Sequence, residues 1–122
     1  MGEKILIVDD EPTVRRVLRR MLEREGYQLI EAGDGEDAVA KAKEHRPSLV
    51  LLDLHMPGMD GLAALDALLA VDPKLRVIMV TGDGEEEHAR AAMQRGACDY
   101  LSKPVEAEAL RTSVMANLLA RG

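Results

Sequence analysis

Short apolar runs alternate with amphipathic helical patterns five times along this chain, and this alternation constrains the fold more than any other sequence feature. The apolar runs predict strands near 4–9, 27–32, 48–53, 75–80 and 98–101. The helical patterns predict helices near 12–25, 36–45, 61–70, 85–95 and 105–120. Strands and helices that alternate with such short connections form parallel sheets with right-handed crossovers. The sequence therefore predicts an α/β fold with a doubly wound sheet of five parallel strands.

Proline and glycine residues support the predicted helix ends. Pro12 suits the first turn of the first helix, where its missing N–H costs nothing. Gly26 is expected to end that helix and Gly96 to end the fourth, because glycine readily adopts a left-handed conformation after a helix. Apolar side chains of the first helix recur at spacings of three and four and are expected to face the sheet: Val14, Val17, Leu18, Met21 and Leu22.

The length of 122 residues predicts one domain, 1–122, with a hydrophobic core of its own. No apolar run approaches the ~20 residues of a membrane span, and no signal-like leader precedes the first strand, so we expect a cytoplasmic protein. The one cysteine, Cys98, falls in the fifth predicted strand and is expected to be a small core residue.

The net charge of -6 and the absence of Phe and Trp argue against nucleic-acid binding by this domain. The charge is uneven along the chain, however. The first predicted helix carries a group of arginines: Arg15, Arg16, Arg19, Arg20 and Arg24. These arginines are interpreted either as the solvated face of the helix or as a docking surface for an acidic partner.

Acidic residues end two of the predicted strands. Asp9 and Asp10 follow the first apolar run, and Asp53 ends the third. The working crevice of an open α/β sheet lies outside the carboxyl ends of its strands, so these carboxylates converge if the two strands are neighbours. Two carboxylates about 4 Å apart repel by roughly 4 kcal/mol at an effective dielectric near 20, so the cluster should hold a proton or bind a cation. Oxygen ligands on a partly open site suit a magnesium ion, Mg²⁺.

Further motifs follow the other predicted strands. The third strand runs into the segment 53–61, which reads DLHMPGMDG, and the fourth ends in Thr81. The fifth is followed by Lys103-Pro104, with Tyr100 three residues before the lysine. Together with the acidic pair, these motifs resemble the receiver domain of bacterial two-component response regulators, a family that includes the stand-alone chemotaxis receiver.

The resemblance covers essentially the whole chain and implies a flavodoxin-like sheet with strand order 2-1-3-4-5 and five helices. It implies phosphorelay signal transduction. The chain would be a signalling domain that catalyses its own phosphorylation and dephosphorylation, and not an enzyme acting on a separate substrate.

The resemblance assigns the phosphorylation chemistry to five residues. Asp53 would be the phosphoacceptor and a Mg²⁺ ligand, and Lys103 would pair with the phosphoryl group. Asp10 would be a direct Mg²⁺ ligand, Asp9 a water-mediated or second ligand, and the backbone carbonyl of His55 a further ligand. A carboxylate attacks a dianionic phosphoryl group only when that charge is neutralised, which is the task of the metal and the lysine.

The resemblance also implies a conformational switch. Thr81 would supply the hydroxyl that bonds the phosphoryl group, and Tyr100 would be the aromatic that turns toward the core, although a half-buried packing role explains Tyr100 as well. The surface of the fourth helix, fifth strand and fifth helix would then change and control an output. The Lys103–Pro104 peptide bond would be cis, a form that proline allows at about 0.5–1 kcal/mol.

Three residues near the implied site set this chain apart within the family. His55, two residues after Asp53, and Asp83, two residues after Thr81, occupy variable positions that tune how long the phosphoryl group survives. Histidine is less usual at the first position, where it would orient the hydrolytic water or block its path. Gly82 stands where alanine is frequent, and it would loosen the loop or widen access to Asp53.

The implied partner is a sensor histidine kinase or a histidine phosphotransfer protein, which would dock on the first helix near Arg16 and Arg20. A homodimer through the fourth helix, fifth strand and fifth helix is a second implied assembly. Neither a membrane nor a nucleic acid is implied as a partner of this domain.

Other protein classes share some of these features. A receiver-like module that works by protein interaction alone remains an alternative. An aspartate-based phosphatase is disfavoured, because His55 stands where that class needs a second aspartate. A flavin-binding module is disfavoured, because the acidic residues 9–11 would repel the flavin phosphate. His45, His55 and His88 show no ligand spacing, so no zinc site is predicted.

Overall fold

The structure, a computed structural model, describes residues 2–82 and 84–121, over which five strands alternate with five α-helices. The strands are β1 (Lys4–Val8), β2 (Gln28–Ala32), β3 (Leu49–Asp53), β4 (Arg76–Thr81) and β5 (Asp99–Ser102). The helices are α1 (Pro12–Leu22), α2 (Gly35–His45), α3 (Gly61–Val71), α4 (Glu86–Gln94) and α5 (Ala107–Arg121), and a 3₁₀ turn, Glu23–Glu25, follows α1. Each predicted element is present, with its ends within three residues of the predicted ones.

The strands form one parallel sheet in the order β2-β1-β3-β4-β5, which confirms the predicted topology. β1 pairs with β3 so that Val8 lies opposite Leu52. β3 pairs with β4 so that Asp53 lies opposite Val80, and β4 pairs with β5 in the same parallel sense. The carboxyl ends of these strands therefore meet at one end of the sheet.

Both faces of the sheet are apolar, because successive strand residues point to opposite faces and helices cover each face. Ile5 and Ile7 are buried on the face covered by α1 and α5. Leu6 and Val8 are buried on the face covered by α2, α3 and α4. The interior strand β1 is thus held between two packed layers of helices.

The apolar stripe of α1 faces the sheet except at Val17. Leu18 and Leu22 are buried, and Val14 and Met21 pack against the same cluster. Val17 is 46% exposed, so the prediction that it faces the sheet is wrong. Five positions at 3.6 residues per turn spread over about 140° of the helix, and Val17 lies at the margin of that arc, farthest from Leu22.

The ends of the helices agree with the sequence pattern. Pro12 begins α1, and Gly26 and Gly96, which follow the 3₁₀ turn and α4, have φ of 82° and 115°. These are left-handed values that glycine adopts without a steric penalty. In the described part of the chain, no helix is long and apolar enough to cross a membrane.

Cys98 lies immediately before β5 and not inside it. The side chain is half-buried against the cluster beneath α1 and α5, and its Sγ donates to the carbonyl of Val77 at 3.4 Å. Burial raises the pKa of the thiol to about 11. The thiol therefore stays protonated at neutral pH, as expected for a small packing residue.

Candidate functional site

Three carboxylates meet at the carboxyl ends of β1 and β3. One oxygen each from Asp9, Asp10 and Asp53 lies within 4.8 Å of the other two. The pairing of Val8 with Leu52 produces this arrangement, because it brings the residues that follow them side by side. Asp9 and Asp53 are buried, whereas Asp10 is exposed. The cluster is therefore closed toward the core and open toward solvent.

The ammonium group of Lys103 lies against two of these carboxylates. Its Nζ is 3.4 Å from Asp9 Oδ2 and 3.4 Å from Asp53 Oδ1. Lys103 follows β5, and β4 separates β5 from β3, so the side chain reaches across the end of β4. The Lys103 N–H donates to the Thr81 carbonyl at 2.7 Å, and the Lys103–Pro104 peptide bond is cis. The hydrogen bond ties the backbone of Lys103 to the end of β4, from which the side chain reaches the cluster.

Burial and charge repulsion set the protonation of the cluster. Burial, followed by the Asp9 charge, raises the pKa of Asp53 to about 6, and the opposing effect of Lys103 does not cancel them. Burial lowers the pKa of Lys103, but the charges of Asp53 and Asp9 outweigh it, so the pKa of the ammonium group is raised. The single positive charge of Lys103 therefore does not balance the negative charge of the carboxylates. The site favours the binding of a further cation.

The donor set of the cluster fits Mg²⁺. Its side-chain ligands are carboxylate oxygens, which a hard cation prefers, and no cysteine or histidine side chain joins the cluster within residues 2–82 and 84–121. The His55 N–H donates to Asp53 Oδ1 at 3.3 Å, which helps to orient that carboxylate. Exposure of Asp10 leaves room for the waters that Mg²⁺ retains.

Two arginines of α1 support the end of β1 through contacts that the sequence reasoning missed. Arg15 Nη1 donates to the carbonyl of Asp9 at 2.6 Å, and Arg15 Nε lies 3.0 Å from Glu31 Oε1. Arg19 Nε lies 2.8 Å from Glu31 Oε2. The hydrogen bond from Arg19 is the main cause of a lowered Glu31 pKa. Arg15 and Arg19 are thus partly buried and paired with Glu31, whereas Arg16, Arg20 and Arg24 are exposed, and both interpretations of the helix surface remain open for these three.

The two predicted switch residues lie on neighbouring strands. Thr81 is buried at the end of β4, and its hydroxyl donates to the carbonyl of Leu101 at 3.5 Å. Tyr100 lies on β5 and is 40% exposed. The Thr81 hydroxyl is therefore hydrogen-bonded to β5, and Tyr100 is partly exposed at the surface.

The side chain of His55 contacts Glu85, a residue that the sequence reasoning did not single out. His55 is largely exposed, and its Nε2 meets Oε2 of Glu85, which is buried just before α4. Glu85 belongs to an acidic run, 85–87, in which no sequence signal distinguishes the buried member. Asp83, the other predicted tuning residue, lies outside the described residues.

Comparison with known proteins identifies the class. The family model for the response regulator receiver domain matches residues 5–115. The chain therefore belongs to the response regulator receiver domains, which are signalling modules of two-component systems. Members of this family interact with histidine kinases or with phosphotransfer proteins.

The relatives include proteins of similar length and longer ones. The chain is 39% identical over 114 residues to sporulation initiation phosphotransferase F of Bacillus subtilis, covering 93% of this chain and 92% of that protein. It is 39% identical over 109 residues to chemotaxis protein CheY of Bacillus subtilis, covering 88% and 91%. The receiver domain of NtrX from Brucella abortus has a TM-score of 0.90 and 38% identity, covering 93% and 97%. In a longer NtrX crystal structure, the chain spans 28% of that chain.

Proposed function

We propose that this protein is a phosphorelay receiver that accepts a phosphoryl group from a phosphohistidine donor onto Asp53. The observation that carries the proposal is the convergence of Asp53 with Asp9, Asp10 and Lys103 at one end of the sheet. A carboxylate nucleophile, an acidic cation site and a lysine supply what phosphoryl transfer to an aspartate needs. The donor would be a sensor histidine kinase or a histidine phosphotransfer protein.

Residues 1–122 would form a single receiver domain, and the protein would work in the cytoplasm together with its phosphodonor. Its self-catalysed loss of the phosphoryl group would end the signal, without a separate substrate being turned over.

In the transfer step, an Asp53 carboxylate oxygen forms a bond to phosphorus while the bond from phosphorus to the donor histidine nitrogen breaks. The electron pair of the breaking bond remains on that nitrogen. Asp53 must be ionised to attack, and a pKa of about 6 leaves it mostly ionised at neutral pH. Lys103 Nζ, 3.4 Å from Asp53 Oδ1, would pair with a phosphoryl oxygen and stabilise the charge of the transition state.

Asp9, Asp10, Asp53 and the backbone carbonyl of His55 would hold Mg²⁺. When bound, the ion neutralises phosphoryl charge that a carboxylate nucleophile would otherwise repel. Asp9 is oriented for this task, because its Oδ1 accepts the Glu11 N–H at 2.9 Å. The exposed side of the cluster, at Asp10, would admit the phosphodonor.

The phosphoryl group would then change the partner of Thr81. The hydroxyl would leave the Leu101 carbonyl for a phosphoryl oxygen and draw the loop between β4 and α4 inward. The exposed Tyr100 ring would turn toward the core, and the surface of α4, β5 and α5 would change. A partner or a second copy of the chain would read this surface, as in other two-state elements that respond to a local charge.

Incubation with Mg²⁺ and acetyl phosphate, followed by intact-mass measurement, tests the proposal. We expect one phosphate adduct that requires Mg²⁺ and is absent from Asp53→Asn. Asp66→Asn, which removes an exposed carboxylate from α3, is the matched control and should be phosphorylated like the wild type. No adduct on the folded protein, with acetyl phosphate or with phosphohistidine donors, would favour the module that works by protein interaction alone.

A further inference from the structure

The carboxylate of Glu85 joins the two loops that border Asp53. Glu85 Oε1 accepts a hydrogen bond from the N–H of Gly82, which directly follows Thr81. Glu85 Oε2 contacts Nε2 of His55, which lies two residues after Asp53. One side chain therefore connects the residue beside the proposed switch hydroxyl with the residue beside the proposed phosphoacceptor.

The burial of Glu85 is not explained by capping of α4. The residue stands at the N-cap position of that helix and is 8% exposed, yet its side chain makes no capping hydrogen bond. Burying a carboxylate costs several kcal/mol unless partners compensate for the lost water. Within residues 2–82 and 84–121, the buried Oε2 accepts no hydrogen bond, although Nε2 of His55 lies against it. The hydrogen bond from Gly82 and the contact with His55 thus compensate the carboxylate only in part.

The absence of a side chain at position 82 leaves room for this carboxylate. A Cβ added to Gly82 would lie 3.0 Å from Glu85 Oε1, which is shorter than an ordinary van der Waals contact. The backbone of Gly82 does not have a positive φ, so its conformation does not require glycine. An alanine at this position would therefore press on the Glu85 carboxylate.

We propose that Glu85 is a positioning residue that holds Gly82 and His55 in their resting arrangement, and that a phosphoryl group on Asp53 competes with its carboxylate for these two groups. The inference rests on the proposed function. Gly82 directly follows β4 and His55 lies two residues after Asp53 at the end of β3, so a phosphoryl dianion on Asp53 would attract the Gly82 N–H and the His55 imidazole and repel the Glu85 carboxylate.

Glu85 stands at the N-cap of α4, so the competition also affects the surface formed by α4, β5 and α5. When its carboxylate is released, Gly82 and His55 no longer hold the N-cap residue of this helix. Because the restraint exists only in the resting state, removing it shifts the two-state equilibrium toward the phosphoryl-bound arrangement. Variants without the carboxylate should therefore bind a phosphoryl analogue more tightly.

Titration of the full chain with beryllofluoride in the presence of Mg²⁺, followed by amide NMR, measures this shift. We expect Glu85→Ala to bind about tenfold more tightly than the wild type, and the near-isosteric Glu85→Gln to fall between them. Gly82→Ala, which crowds the carboxylate, should also bind more tightly. Glu86→Gln removes the same charge from the next, exposed residue and should bind like the wild type.

A double-mutant cycle separates positioning from a general effect of charge. If Glu85 acts partly through the imidazole, Glu85→Ala should tighten binding less in a His55→Ala background than in the wild type. In the free protein, the Gly82 amide resonance should move in Glu85→Ala and stay in place in Glu86→Gln. Effects of Glu85→Ala that are the same in both backgrounds would overturn the role assigned to His55.

The outcomes distinguish this inference from the proposed function. Wild-type binding with unchanged affinity in Glu85→Ala and Glu85→Gln would overturn the inference and leave the function standing. Absence of binding to the wild type would overturn both. If thermal unfolding shows that Glu85→Ala does not fold, Glu85→Gln decides the matter, because it keeps the shape of the side chain and loses its charge.

Discussion

Lys103 Nζ lies 3.4 Å from Asp53 Oδ1, although the two residues are 50 positions apart and β4 separates their strands. The contact does not offset the burial of Asp53 and its repulsion by Asp9, so the pKa of Asp53 is raised to about 6. The Asp53 carboxyl and the Lys103 ammonium group therefore belong to one cluster, and the negative charge that remains in it favours the binding of a further cation.

Asp53→Asn should stabilise the metal-free protein at neutral pH. The folded-state pKa of Asp53, about 6, lies above its ordinary value of 3.8, so ionising the buried carboxyl opposes folding. The wild type should lose stability relative to the variant as pH rises from about 4 to 6, with a final difference of about 1–3 kcal/mol. Urea unfolding in EDTA across this pH range measures the difference. A difference in the free energy of unfolding that stays constant between pH 4 and 6 would contradict the prediction.

Lys103→Ala should slow phosphorylation by acetyl phosphate about 100-fold, because the transition-state charge loses its fixed cation. Intact-mass time courses at saturating Mg²⁺ measure the rate. Lys43→Ala, in the exposed part of α2, is the matched control and should keep the wild-type rate. Lys103→Arg should recover only part of the rate, since a planar guanidinium does not replace a compact ammonium group. An unchanged rate in Lys103→Ala would remove this residue from the mechanism.

Asp10→Asn should weaken Mg²⁺ binding by at least about tenfold, because it removes one of three charges from the oxygen cluster. Isothermal titration of each protein with MgCl₂ gives the affinity. Glu11→Gln makes the same chemical change at the next, exposed residue, and it should bind Mg²⁺ like the wild type. If both variants bind Mg²⁺ equally weakly, the affinity depends on the total negative charge near the site and not on Asp10 as a ligand.

Gly61→Ala should destabilise the fold by about 2–3 kcal/mol. A Cβ at this position would lie 2.5 Å from the Leu54 carbonyl oxygen and 2.7 Å from its Cα, and backbone atoms cannot move aside cheaply. Gly33→Ala is the control, because its Cβ would meet only the flexible end of Arg15 at 3.6 Å. Chemical unfolding of both variants tests the prediction. Similar stabilities for the two would show that the start of α3 adjusts readily.

Much of the fold follows from local pattern. Strands such as β1 and β3 are short runs of apolar residues bounded by polar ones, so their type and approximate limits are visible in the sequence. The convergence of Asp9 and Asp53 also follows once β1 and β3 are neighbours, because parallel strands end on the same side of a sheet. The exposure of Val17 was not predictable from spacing, because spacing does not tell how wide an arc the sheet covers.

Contacts between side chains that are far apart in the sequence could not be predicted from the sequence pattern. Arg15 and Arg19 lie on a helix whose sequence is typical of a solvated face, and only the tertiary structure brings their side chains to Glu31 of β2. The contact between Glu85 and His55 likewise depends on the path of two loops. Long charged side chains have many rotamers, so tertiary packing determines their ion-pair partners and the neighbouring residues in the sequence do not.

The alternation of strands and helices and the three acidic residues at the strand ends can be read from the amino-acid pattern, and the order of the strands in the parallel sheet follows from family resemblance. These are properties of local periodicity and of position relative to the strands. The family resemblance already implied that Lys103 acts at Asp53, whereas only the packed structure shows that the Glu85 carboxylate is buried against Gly82 and His55. The reason is that burial and charge pairing are set by packing between distant segments, which local sequence does not encode.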